Sequence, residues 1–133
     1  MVLEGGKQVL IFQEGTMRAL VLSVDKKKGK VPMATSTNIR SACIVPQTNL
    51  FTIATEESIN FYNTADGSLN SDLTYSLSQG EPNRTLVQAI KMTSNGSRIA
   101  LCFGSHLSIY NFGSDQGVDL SSKFFHYMTT KRL

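Results

Sequence analysis

The chain has 133 residues, 41% of them apolar and only 17% charged, and its 13 basic and 10 acidic side chains leave a formal net charge of +3. That length suits one domain with its own core rather than two, and low charge with abundant Ser, Thr and Asn argues for a β-rich globular fold over a disordered or coiled-coil chain. No stretch approaches the ~20 apolar residues of a membrane span, and the opening residues lack the pattern of a secretory signal, so the expectation is an intracellular protein, cytoplasmic or nuclear, with no membrane contact.

Taken in chain order, Gln8 to Gln13 and Met17 to Val24 read as two strands of a partial unit over residues 7–25. Lys26, Lys27, Lys28 and Lys30 follow and carry the net charge; without this cluster the chain is near neutral. Such a run reads as a solvated loop, and as an alternative it offers phosphate contacts for a nucleic-acid-associated subunit. It has no aromatic neighbours to stack on bases.

A whole unit spans residues 39–80, with strands expected at Arg40 to Val45, Leu50 to Thr55, Ser58 to Asn63 and about Asp72 to Leu77. A second spans residues 86–129, with strands at Val87 to Thr93, Arg98 to Phe103, Leu107 to Phe112 and Lys123 to Met128. The two units repeat at 48 residues: Asn49 to Asn63 lies over Ser97 to Asn111 without a gap. Phe51 meets Ile99, Ile53 meets Leu101, Ile59 meets Leu107, Phe61 meets Ile109, and Tyr62-Asn63 meets Tyr110-Asn111 outright. The matched positions alternate with a period of two, so one face of each strand is expected in a core. Tyr62 and Tyr110 stand in the opposite phase. Asn95-Gly96 and Asp66-Gly67 supply hairpin turns, because both residues of such pairs tolerate positive φ.

Chemistry-bearing residues are sparse. Cys43 and Cys102 lack zinc-ligand spacing and sit within apolar strands, so both read as buried reduced thiols. His106 and His126 are the only histidines, and no Gly-x-Ser-x-Gly elbow exposes a serine beside either. Glu56-Glu57 are chain neighbours that point apart on an extended backbone. The glycines lack the spacing of a phosphate cradle. No catalytic group, metal site or cofactor is expected.

The residues Thr93-Ser94-Asn95-Gly96-Ser97-Arg98-Ile99-Ala100 and Leu107-Ser108-Ile109-Tyr110-Asn111 resemble the turn, second strand and third strand of a WD40 repeat, with Tyr62-Asn63 and Tyr110-Asn111 where the family has Trp-Asp. The chain has no Trp, and no Gly-His dipeptide precedes either unit, so the family's His, Ser/Thr, Asp and Trp hydrogen-bonded tetrad is incomplete. The resemblance implies an all-β fold: WD40-like four-stranded antiparallel blades, about two and a half blades of an incomplete propeller, in a single repeat domain. Propellers close with ~4 to 8 blades, so the chain is expected to need further blades from the same or another chain. The implied function is a non-catalytic scaffold for protein partners. Its docking residues would lie in the loop entering each blade and the turn between the second and third strands: Asn38, Arg40, Glu56, Glu57, Arg84, Ser105 and His106.

Overall fold

A computed structural model of the chain describes residues 1, 8–23, 30–81 and 86–127. Strands alternate with tight turns because runs of Ile, Val, Leu, Phe and Thr are broken by Gly, Asn and Asp at short intervals. The first sheet contains β1 (Gln8–Phe12), β2 (Arg18–Ser23) and β3 (Lys30–Ala34) in that spatial order. The second has β4 (Ile39–Val45), β5 (Leu50–Thr55), β6 (Ser58–Asn63) and the two-residue β7 (Tyr75–Ser76). A single helical turn, α1 (Leu77–Gly80), leads to the third, made of β8 (Ala89–Met92), β9 (Arg98–Cys102), β10 (His106–Gly113) and β11 (Gly117–Tyr127). Every pairing is antiparallel between chain neighbours.

The three sheets stack face to face around two cores. Leu10, Ala19, Val21 and Met33 of the first sheet pack with Ile39, Phe51, Ile53 and Tyr62 of the second. The second sheet's other face gives Val45, Ala54, Ile59 and Phe61 to a core completed by Ile90, Ile99, Leu101, Phe103, Tyr110 and Phe112 of the third. The middle sheet is therefore buried on both sides, and its central strands read as near-continuous buried runs. Each fully buried Phe or Ile contributes about 1.5–3 kcal/mol, and Phe61 stacks on Phe112 across the sheets at 5.0 Å between ring centroids. The innermost strands also meet: the Ile90 N–H donates to Ser41 Oγ at 3.2 Å.

Four expectations change. The first sheet extends past residue 25 to Ala34, and Lys30 opens a strand rather than ending a loop; β3 tolerates Pro32 because it lies at the sheet edge. The strand expected at Asp72 to Leu77 contracts to Tyr75–Ser76, since the chain turns into α1, where the Gln79 side chain accepts from the Ser76 N–H at 3.1 Å. Tyr62 and Tyr110 are buried although out of phase, because the second sheet has a neighbour on each face and Tyr110 lies on the inward face of the third. Leu107 and Ile109, expected in a core, are half-buried. Their face of the third sheet has no sheet beyond it among the described residues.

Candidate functional site

Antiparallel alternation brings one set of connections to a common end. The segment entering β4, the β5–β6 turn, the segment entering β8 and the β9–β10 turn all fall on this rim. The β1–β2 turn joins them through Gly15 N–H to Ile39 O at 2.8 Å and Ile39 N–H to Thr16 O at 2.6 Å.

Asn38, Arg40, Glu56 and Glu57 lie at this rim. Asn38 Nδ2 donates to Glu56 Oε1 at 2.9 Å, and the Glu56 N–H donates to Asn38 O at 3.0 Å. Arg40 pairs with Glu14 of the first sheet at 3.1 Å, and its Nε donates to Val87 O beside the third sheet at 3.4 Å. One guanidinium thus spans all three sheets. Glu57 is exposed and its carbonyl accepts from the Leu77 N–H at 2.8 Å, fixing the start of α1. Ser105 is exposed on the β9–β10 turn. Arg84, Lys26, Lys27 and Lys28 lie outside the described residues, and Lys30 is placed only through its backbone pairing with Leu22.

His106 does not offer itself to a partner. It is 7% exposed, because its ring is sandwiched between Phe103 and Phe125, with centroids at 4.5 and 4.7 Å, and both nitrogens are engaged. Nε2 lies 3.1 Å from Glu81 Oε1, and Nδ1 lies 3.0 Å from Ser105 Oγ. A proton on Nε2 donates to the carboxylate, and Nδ1 and the Ser105 hydroxyl share the second hydrogen bond.

Glu81 is the residue the sequence reading missed. It is 2% exposed, yet four side chains donate to it. Ser108 Oγ, at 2.9 Å, joins His106 on Oε1, while Lys123 Nζ, at 2.7 Å, and the Tyr110 hydroxyl bind Oε2. His106, Ser108 and Tyr110 are at alternate positions of β10 and therefore project from one face; the register shift opposite Tyr110 puts the extra residues 120–123 on β11, while β10 stays regularly paired with β9. Burial alone would push the Glu81 carboxyl up. The donors Lys123, Tyr110, His106 and Ser108 outweigh it and hold the group below the ordinary carboxylate range. Burial, and then the hydrogen bond to Glu81 and its charge, push the Tyr110 phenol up.

With two donors on each oxygen, this carboxylate joins elements of the fold; an incoming substrate would have to displace one of them. Lys123 Nζ also donates to Gly80 O at 2.7 Å, so the strap from α1 to Glu81 is fastened to β10 and β11. Gly80 is required by closeness: a Cβ there would sit 2.8 Å from the Tyr110 hydroxyl. Gly80-Glu81 takes the place, just before the blade, where the resembled family has Gly-His, and Tyr110 takes that of Trp. The third blade thus carries a carboxylate-centred cluster instead of the family's tetrad. The second blade carries no counterpart charge. Forty-eight residues before Glu81 stands Met33, which packs in the core that holds Tyr62. Among the described residues no cluster of three metal-ligating side chains occurs, and no helix is long and apolar enough to cross a membrane.

No protein-family model and no curated protein matches the sequence. Solved structures do match in fold. A chain of the mitotic checkpoint complex superposes with a TM-score of 0.68 at 17% identity, over 96% of this chain and 38% of that one. The β-propeller domain of Cps50 (Swd1) from Myceliophteria thermophila gives 0.66 at 14% identity, over 93% and 39%. The WD40 repeats of RRP9 give 0.53 at 13% identity, over 68% and 27%. The fold is that of a divergent, partial WD40-like β-propeller built from antiparallel blades. The chain spans less than two-fifths of the length of each of these structures.

Proposed function

We propose that the chain is a non-catalytic scaffold for protein–protein interaction, an intracellular WD40-like segment of a larger assembly. The observation that carries this reading is the rim, where Asn38, Glu56, Glu57 and Ser105 stand on connecting segments around Arg40 of β4, whose guanidinium ties the second sheet to the first and to the segment entering the third. Rigid elements that present polar side chains on short loops bind with little ordering cost. The solved neighbours add support, one belonging to a mitotic checkpoint complex and another being the propeller of Cps50. The saturated carboxylate of Glu81 supports the non-catalytic part.

The test is affinity capture from lysate by the wild-type chain and by Arg40→Ala, Glu57→Ala and Ser105→Ala variants, each checked by circular dichroism. Loss of the same captured proteins from folded variants supports the rim as the docking surface. Undiminished capture by all three removes it.

A further inference from the structure

The 48-residue repeat allows one sheet face to be compared with another. In the second sheet Ala54, Ile59 and Phe61 point at the third sheet and are fully buried. Their counterparts 48 residues on, Cys102, Leu107 and Ile109, point away from the second sheet and are half-buried. Phe124, opposite Ile109 on β11, is 60% exposed. This outer face therefore has the chemistry that the second sheet uses to receive a neighbour, and among the described residues no sheet covers it.

The other end of the stack is the complement. The side of the first sheet turned away from the second carries Ile11, 49% exposed, and Leu20 opposite it. With Met17 they line a shallow depression of about 530 Å³. Ile11 is the penultimate residue of β1, as Leu101 is of β9, and Leu101 is one of the residues that the second sheet covers. The first sheet thus presents a face of the type that docks, and the third a face of the type that is docked upon.

We propose that these two faces bind each other between copies, so that two chains assemble head to tail, the third sheet of each covering the first sheet of the other. This inference rests on reading the chain as part of a larger assembly and names what completes it. Both halves of the contact are present in every chain and repeat the interface already formed between the second and third sheets. A head-to-tail contact must either close or grow into a filament. Three sheets per chain and two chains give six, within the range of ~4 to 8 at which such rings close.

Size-exclusion chromatography with light scattering tests this directly. The wild-type chain should have the mass of two copies, against 14.6 kDa for one. Ile11→Asp and Phe124→Asp alter side chains already about half exposed or more, so each should stay folded by circular dichroism and run as a monomer. Mixed in equal amounts, the two variants retain one intact joint between them and should recover the two-chain mass. A like-to-like dimer would not recover in this way. A monomeric wild type, a mass above two chains, or a dimer indifferent to both substitutions overturns the proposal. None of these outcomes bears on the rim, whose failure is read separately from the capture experiment.

Discussion

The Nζ of Lys123 lies 2.7 Å from the carboxylate of Glu81 and an equal distance from the carbonyl oxygen of Gly80, so one ammonium from the outermost strand of the third sheet clamps the segment arriving from the second. Glu81 is almost wholly buried while Lys123 remains 25% exposed. The two ends of the pair therefore differ in what their loss leaves behind.

Removing the carboxylate strands the donors it serves, three of them buried. Glu81→Ala should destabilise the chain by about 3–5 kcal/mol, the usual cost of breaking a buried ion pair from one side. Lys123→Met should cost less, about 1–3 kcal/mol, because His106, Ser108 and Tyr110 still donate to the carboxylate. Urea denaturation of both variants checks the order. Equal losses would mean that the carboxylate draws nothing from its other donors.

The same site sets an acid limit. Glu81 is held below its ordinary value of 4.5 in the folded chain, so the unfolded chain takes up that proton at higher pH than the folded one. Its stabilisation is complete above the ordinary value and is lost as pH falls through it toward the folded value. Asp66 is also lowered, by hydrogen bonds from Ser68, but it lies on an exposed turn. Urea midpoints measured from neutral pH into this acid range should fall for the wild type, and the fall should be much shallower for Glu81→Gln. An unchanged slope in that variant would place the acid sensitivity elsewhere.

Much of the fold was legible because the repeat is written in side-chain alternation. Leu50 to Thr55 and Ser58 to Asn63 are strands with the bounds expected of them. What alternation does not encode is how many neighbours a sheet has. Ile59 and Leu107 are equivalent in sequence, yet only the first is fully buried, since burial depends on the sheet placed beyond it. The cluster around Glu81 was illegible for a different reason. Gln79-Gly80-Glu81-Pro82 has the composition of an ordinary loop, and its partners come from 25 to 42 residues further along the chain. The available signal was positional: Gly80-Glu81 precedes its blade where the resembled family places Gly-His, and alternate polar residues at His106 and Ser108 enter a strand whose inward face is otherwise apolar.

Gly96 and Gly15 separate backbone strain from collision. Both hold positive φ, +70° and +82°, so alanine is disfavoured at each. At Gly15 a Cβ meets nothing within 4 Å, whereas at Gly96 it would lie 2.7 Å from the carbonyl oxygen of Pro46. Gly15→Ala should cost about 1 kcal/mol, and Gly96→Ala about 2–3 kcal/mol, because the β8–β9 turn must also move off the β4–β5 turn. Thermal melts of the two variants give the comparison. A Gly96 variant no worse than the Gly15 one would show that these turns part freely.

Tyr62 and Tyr110 occupy the same place in successive blades, and their hydroxyls make opposite predictions. Tyr62 stacks on Phe51 at 5.3 Å between centroids, and its hydroxyl bonds to the side chain of Asn60, a neutral partner. The Tyr110 hydroxyl donates to the charged Glu81 inside the core. Hydrogen bonds to charged groups contribute about 1.5–3 kcal/mol, against about 0.5–1.5 kcal/mol for neutral ones. Tyr110→Phe should therefore destabilise the chain more than Tyr62→Phe, although each change removes only one oxygen. Losing that donor also weakens the hold on the Glu81 anion. The deficit of Tyr110→Phe should then shrink as the pH falls below the ordinary glutamate value, while that of Tyr62→Phe stays constant. Chemical denaturation of both variants at neutral and acid pH measures this, and parallel losses at the two pH values would sever Tyr110 from the carboxylate.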